Sequence, residues 1–484
     1  MVDFGDLNPC IKVMKQTCLI QIGFCAALCL ILVACSKTGS SKRVSPEAAK
    51  QSRLDWDMNT MVGSYERIGK SELEWDGPAT NALAEFAHAR SQSLEPGEDW
   101  VTIIRTNCDA AVQARCDDPM VRYLYIRFAM SQTNSAMDFA DAFYKTSDAM
   151  MNSSYPPILK FYATLAAIGQ LHQAYGGNMN RETMGELTTQ LTNNLVKILG
   201  DKTTPPEEVY DACHQILETF RGNKQLFDYI YSDAIEKPLS KNWTDASETW
   251  LLKGEVAIDQ AWQARGGGYA DTVTPDGLKL FKQHLASADE LLNHAWKLNP
   301  TDPRIAVKMM WVELGQSQGR DRMELWFNRA MELDPNDYDA CNTKLLYIEP
   351  KWYGSVDDML GFGRECAQNT NWGGSVPLTL VDAHYDICNQ YIDQSERTNY
   401  WKQPDVWDDI KSAYEQYFQL YPNDASRIPN YAWYAYHAED WDKLNELIPK
   451  LGPASYYAFG GKDEFDKMVQ LAKEHASQPA ATPP

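Results

Sequence analysis

The chain has 484 residues, 44% of them hydrophobic and 23% charged, with a formal charge of -21 and a pI near 4.8. That balance is globular and not disordered, and the length allows two or three domains or one long repeat array. Lys and Arg (45) are outnumbered by Asp and Glu (66) and form no dense basic run, which argues against a phosphate-tracking nucleic-acid surface.

Lys15 and the apolar run of residues 19–33 have the charged and apolar parts of a secretory signal. The run ends in Leu32-Val33-Ala34-Cys35, followed by Ser36. This resembles the lipobox of bacterial lipoproteins. The resemblance implies cleavage before Cys35, fatty acylation of that cysteine and attachment to a cell-envelope membrane. Ser36, where Asp would signal retention, implies the outer membrane. A plain membrane anchor is the alternative reading of the same run. Met14 is a more natural start than Met1, because Met14-Lys15 directly precedes the apolar stretch. Residues 1–34 are therefore expected to be a signal peptide. Residues 35–52, small, polar and charged, are expected to be a flexible tether.

Residues 53–242 have helical texture throughout. Candidate helices run over 100–116, 121–130, 136–151, 157–174 and 181–199, separated by turn material such as Ser153-Ser154-Tyr155-Pro156 and Gly176-Gly177-Asn178. Thr204-Pro205-Pro206-Glu207-Glu208 is a helix start, with Pro in the first turn and carboxylates at the positive end of the dipole. Strand alternation bounded by tight turns is not sustained anywhere, so the expected class is all-α.

From Trp243 to residue 475 the pattern becomes periodic. Ala288, Leu292, Ala295 and Pro300 share their spacing with Met323, Phe327, Ala330 and Pro335, and the two prolines are 35 residues apart. That is close to the roughly 34-residue period of tetratricopeptide helical hairpins. Trp250 four residues before Gly254 matches the first helix of such a hairpin. Ile410, Tyr414, Tyr417 and Pro422 repeat the second-helix spacing. The expected architecture is a TPR-like α-α superhelix following an N-terminal helical region, with a disordered tail over 476–484. Gly266-Gly267-Gly268 interrupts the pattern, lacks the Gly-Lys-Ser/Thr ending of a phosphate loop, and reads as a turning loop. Residues 261–273, Leu346-Tyr347-Ile348-Glu349-Pro350-Lys351-Trp352-Tyr353-Gly354-Ser355 and residues 359–366 together resemble a domain-of-unknown-function family of TPR-like fold. The likeness spans roughly 243–391 and implies the fold, not an activity.

Catalytic and metal motifs are missing from the sequence. The histidines are scattered without H-E-x-x-H, Asp382, His384 and Asp386 fall on different helical faces, and there is no C-x-x-C or G-x-S-x-G. No cofactor is expected. Cys341 and Cys366 lie on helical stripes that meet if their helices form an antiparallel hairpin around the 349–355 turn. They are then a disulfide candidate, with two buried reduced thiols as the alternative. Cys108 and Cys116 are bondable only if the helix between them stops early. Of 15 Trp, 12 lie from residue 243 onward. Most are expected in helix seams, while Trp352 and Trp372, in turns beside glycines, are the candidates for ligand contact. Together these features give the expected function: a non-catalytic envelope lipoprotein that binds a protein or peptide partner, or alternatively a surface lipoprotein that stacks aromatics on a glycan.

Overall fold

A computed structural model describes residues 46–72, 74–91, 99–130, 135–176, 180–268, 270–422, 424–452 and 455–476. The expected signal peptide, Cys35, the first part of the tether and the tail from residue 477 lie outside the described residues. Among the described residues there are helices and no strands, and no helix is long and apolar enough to cross a membrane.

The chain divides into two compact units, one of residues 1–159 and 173–175, the other of residues 160–172 and 176–484. The first contains α1 (Pro46–Ile68), α2 (Asp76–Arg90), α3 (Trp100–Gln113), α4 (Pro119–Leu124) and α5 (Ala136–Met151). Pro46 opens α1, so residues 46–52 are helical and not part of a tether; proline is well placed at a helix start because its missing N–H has no intrahelical partner there. α3 stops at Gln113, where Arg115 takes φ 69 and the Cys116 N–H donates back to the Ala111 carbonyl at 3.0 Å. The helix predicted to run to Cys116 therefore ends earlier. Asp118, fully buried, explains the next start: its carboxylate accepts from the Met120 and Val121 N–H groups at 2.9 and 3.2 Å. It also accepts from the Tyr155 hydroxyl at 2.9 Å, which ties the end of α5 back to the start of α4.

The second unit holds most of α6 (Pro157–Tyr175), then α7 (Arg181–Gly200), α8 (Pro206–Phe220), α9 (Lys224–Tyr229), α10 (Lys237–Asn242), α11 (Ser247–Arg265), α12 (Pro275–Leu298), α13 (Pro303–Gln316) and α14 (Arg320–Leu333). It continues with α15 (Tyr338–Tyr347), α16 (Val356–Gln368), α17 (Thr379–Tyr391), α18 (Arg397–Trp401), α19 (Pro404–Leu420), α20 (Ile428–His437), α21 (Trp441–Leu447) and α22 (Lys462–Ala476). The division falls near residues 159–176. Trp243 is inside the second unit, its indole N–H donating to the Leu199 carbonyl at 2.8 Å and its ring lying 4.3 Å from Lys202 Nζ. α7 is thereby fixed to the segment that opens the repeats.

The second unit is an all-α stack of hairpins. α11 pairs with α12, α13 with α14, α15 with α16, while α8, α11, α13, α15 and α17 pack side by side as a layer of first helices. Gly254 allows α11 to pair closely with α12: a Cβ there would stand 2.6 Å from Leu292 of α12. α13 has no central glycine; Gly315 near its end instead allows close approach to the preceding hairpin, with a Cβ position 2.4 Å from Leu285 of α12. In the second-helix layer Trp296 meets Trp326 edge to face at 5.3 Å, with Arg329 over both rings. Lys344 lies between Phe327 and Phe362, 4.2 and 4.4 Å from their centroids, and pairs with Glu324 at 2.8 Å.

Candidate functional site: the layer of first helices

Two groupings mark this layer, one aromatic and one charged. Trp262 near the end of α11 meets Trp311 of α13 at 6.3 Å and Trp352 of the turn after α15 at 5.7 Å, both edge to face. Phe281 of α12 closes the other side at 5.2 Å. Arg265 covers the group, 5.7 Å from the Trp262 ring and 5.6 Å from the Trp352 ring. Its Nη1 donates to the Gly266 and Gly268 carbonyls at 3.2 and 3.0 Å. The triple glycine thus holds Arg265, with Gly266 at φ 76 reversing the chain after α11, a conformation glycine adopts without cost. Among the described residues, the buried indole nitrogens of Trp262 and Trp352 have no oxygen or nitrogen acceptor; edge-on rings suit weak N–H···π contacts.

Trp352 is half-buried in this cluster. Trp372 is also half-buried, edge-on to Phe327 at 6.0 Å in a separate seam. The two candidates for ligand contact therefore belong to different ring groups. Tyr385 on α17 is more open than either, 53% exposed; the sequence reading weighed its neighbours His384 and Asp386 and not the tyrosine between them.

The charged grouping centres on Glu255 of α11, 6% exposed. Tyr210 of α8 donates its hydroxyl to Oε1 at 2.7 Å, Lys308 of α13 stands 3.1 Å from the same oxygen, and His214 Nδ1 stands 3.3 Å from Oε2. Burial works against the charged carboxylate, but Lys308, His214 and Tyr210 outweigh it and hold Glu255 down to about 2. Glu255 in turn raises the His214 imidazole, against the effect of burial. One carboxylate thus joins three first helices. A second pair, Arg221 just past the end of α8 with Asp259 of α11 at 2.9 Å, joins the same two helices. The partners are 41 to 53 residues from Glu255 in sequence, so spacing gave no hint; the signal was an acid set in a stretch, residues 250–258, that is apolar apart from Lys253 and Glu255.

Asp382, His384 and Asp386 do not converge. Asp382 accepts from the Tyr338 hydroxyl of α15. His384, 1% exposed, faces the other way, with Nδ1 2.8 Å from the Tyr400 hydroxyl and Nε2 3.1 Å from Asp409. Asp409 is held in place by Arg364 Nε at 3.1 and 2.9 Å. This chain, buried at His384 and open at Arg364, bolts α17 to α18, α19 and α16. Among the described residues no group of His, Cys, Asp or Glu is arranged to hold a metal ion. Cys341 and Cys366 are brought together: both are fully buried free thiols, and the neighbouring Cys366 thiol, then burial, pushes the Cys341 thiol up.

No family model matches the sequence, and no curated protein matches it either.

Proposed function

We propose that this chain is an envelope lipoprotein, held through a lipidated Cys35, whose helical stack is a non-catalytic scaffold for a protein or peptide partner. The observation that carries this reading is the layer α8, α11, α13, α15 and α17, cross-linked by Glu255 and by the Tyr338–Asp382 pair, with Tyr385 turned outward. A layer fixed by buried pairs presents its outward side chains in one geometry, and that lowers the ordering cost of binding. Stacked helical hairpins share a core and leave such a face free for ligands. The polar groups described above are engaged with one another, which supports a structural role over a chemical one.

The glycan reading has less support, because Trp352 and Trp372 have part of their rings committed to other rings. The test uses the full chain in its bacterial envelope. An alkyne fatty acid should label the wild type and not Cys35→Ala, and pull-down after crosslinking should recover one protein in stoichiometric amount. Repeated recovery of none, with labelling intact, would refute the scaffold. Loss of labelling alone would refute the anchor.

A further inference from the structure

Cys341 lies in the first turn of α15 and Cys366 in the last turn of α16, so the hairpin places the two side chains at its open end. Both are 0% exposed and lie against one another, and Cys341 Sγ also touches Met331 Sδ of α14 at 3.8 Å. No other cysteine lies on α15 or α16. We propose that Cys341 and Cys366 close a disulfide as the chain folds, pinning α15 to α16 where the helices have no connecting turn.

The chemistry needs an oxidant, and a disulfide of a small thiol or of a dithiol oxidase is the class that fits. The thiolate of one cysteine attacks that disulfide, forming a mixed disulfide and releasing one thiol. The second cysteine, as thiolate, then attacks the cysteine sulfur of the mixed disulfide, and the second thiol leaves. Two electrons pass to the oxidant, and the two protons end on the two released thiols. The attacking species is the thiolate. Burial and the neighbouring sulfur both disfavour it for Cys341 once the seam is packed. Closure therefore belongs to folding, before the seam excludes the oxidant, and the finished bond is shielded from reductants in the native state.

This inference does not rest on the lipoprotein reading, and its test is made in solution. The reduced, denatured chain is refolded in a buffer of reduced and oxidised glutathione, free thiols are alkylated in denaturant, and the protein is digested. Tryptic peptides 330–344 and 365–397 should be joined, with a mass lower than their sum by two hydrogens. Cys388 shares the second peptide, so further cleavage at Asp382 and Asp386 assigns the link to Cys366. A chain folded under reductant and exposed afterwards to oxidised glutathione should form the link at least tenfold more slowly. The refolded, oxidised chain should unfold at higher urea than the same chain reduced in denaturant. Alkylation of both cysteines after oxidative refolding would overturn the proposal, as would a link from either one to a different cysteine. Equal rates of closure before and after folding would overturn the folding-coupled part.

Discussion

The Tyr210 hydroxyl donates to the Glu255 carboxylate across 2.7 Å, joining α8 to α11 at a site both residues reach almost fully buried. Hydrogen bonds to a charged acceptor are worth about 1.5–3 kcal/mol, and a buried carboxylate deprived of one bears much of that as a penalty. Tyr210→Phe should therefore lower stability by about 1.5–3 kcal/mol in urea unfolding. In a double-mutant cycle with Glu255→Gln, a large part of that loss should disappear. A loss below about 0.5 kcal/mol would mean that the bond contributes little.

Tyr347 provides the contrast. It is 1% exposed and its hydroxyl has no hydrogen-bond partner among the described residues. Tyr347→Phe removes an unpaired buried donor and keeps the ring against Tyr353, 4.6 Å away. Stability should stay level or rise by up to about 1 kcal/mol, measured by the same unfolding assay.

Two glycines separate packing from propensity. In an open helix, Gly to Ala stabilises by about 0.5–1 kcal/mol, and Gly185→Ala in α7, where a Cβ meets nothing within 4 Å, should do so. Gly254→Ala puts a methyl group 2.6 Å from Leu292 and should instead cost about 1–3 kcal/mol through overpacking. Thermal unfolding of both variants distinguishes the signs.

The pH dependence is unusual in direction. Burial raises Asp337, Asp382 and Asp386 from 3.8 to about 6, with Glu349 and Asp382 adding to the effect at Asp386. The folded state then binds more protons than the unfolded state between those values, so stability falls as pH rises through that window. His214, raised above 6.5, adds stability that is full below 6.5 and is lost as pH rises through its folded value. Glu255 acts oppositely: its contribution is present above 4.5 and is lost as pH falls toward about 2. The midpoint of thermal unfolding should be higher at pH 5 than at pH 7.5, and Asp382→Asn with Asp386→Asn should shrink the difference.

Much of the hairpin stack could be read from the chain because it depends on local signals. Ala288, Leu292 and Ala295 are all buried, as their spacing requires, and Gly254 meets Leu292 as the first-helix pattern implies. The unit division was not legible: the pattern turns periodic at Trp243, yet Trp243 is tied to Leu199 by a contact no local pattern encodes. Residues 46–52 looked like a tether because their composition is polar, yet a proline start and a long downstream helix make them helical. Cys341 and Cys366 could be brought together from stripe periodicity and a hairpin around the 349–355 turn. Glu255 and its three partners could not, since pairing across first helices depends on how the hairpins stack.

On the proposed reading, a partner binds on the outward side of the first helices. A photo-crosslinking amino acid placed at Tyr385, on α17 of that layer, tests it directly against the same residue placed at Leu325, 48% exposed on α14 of the second layer. The account predicts one discrete crosslinked protein from position 385 in intact envelopes and none from position 325. Crosslinking from 325 alone, or from neither position while the chain is folded and anchored, would contradict it.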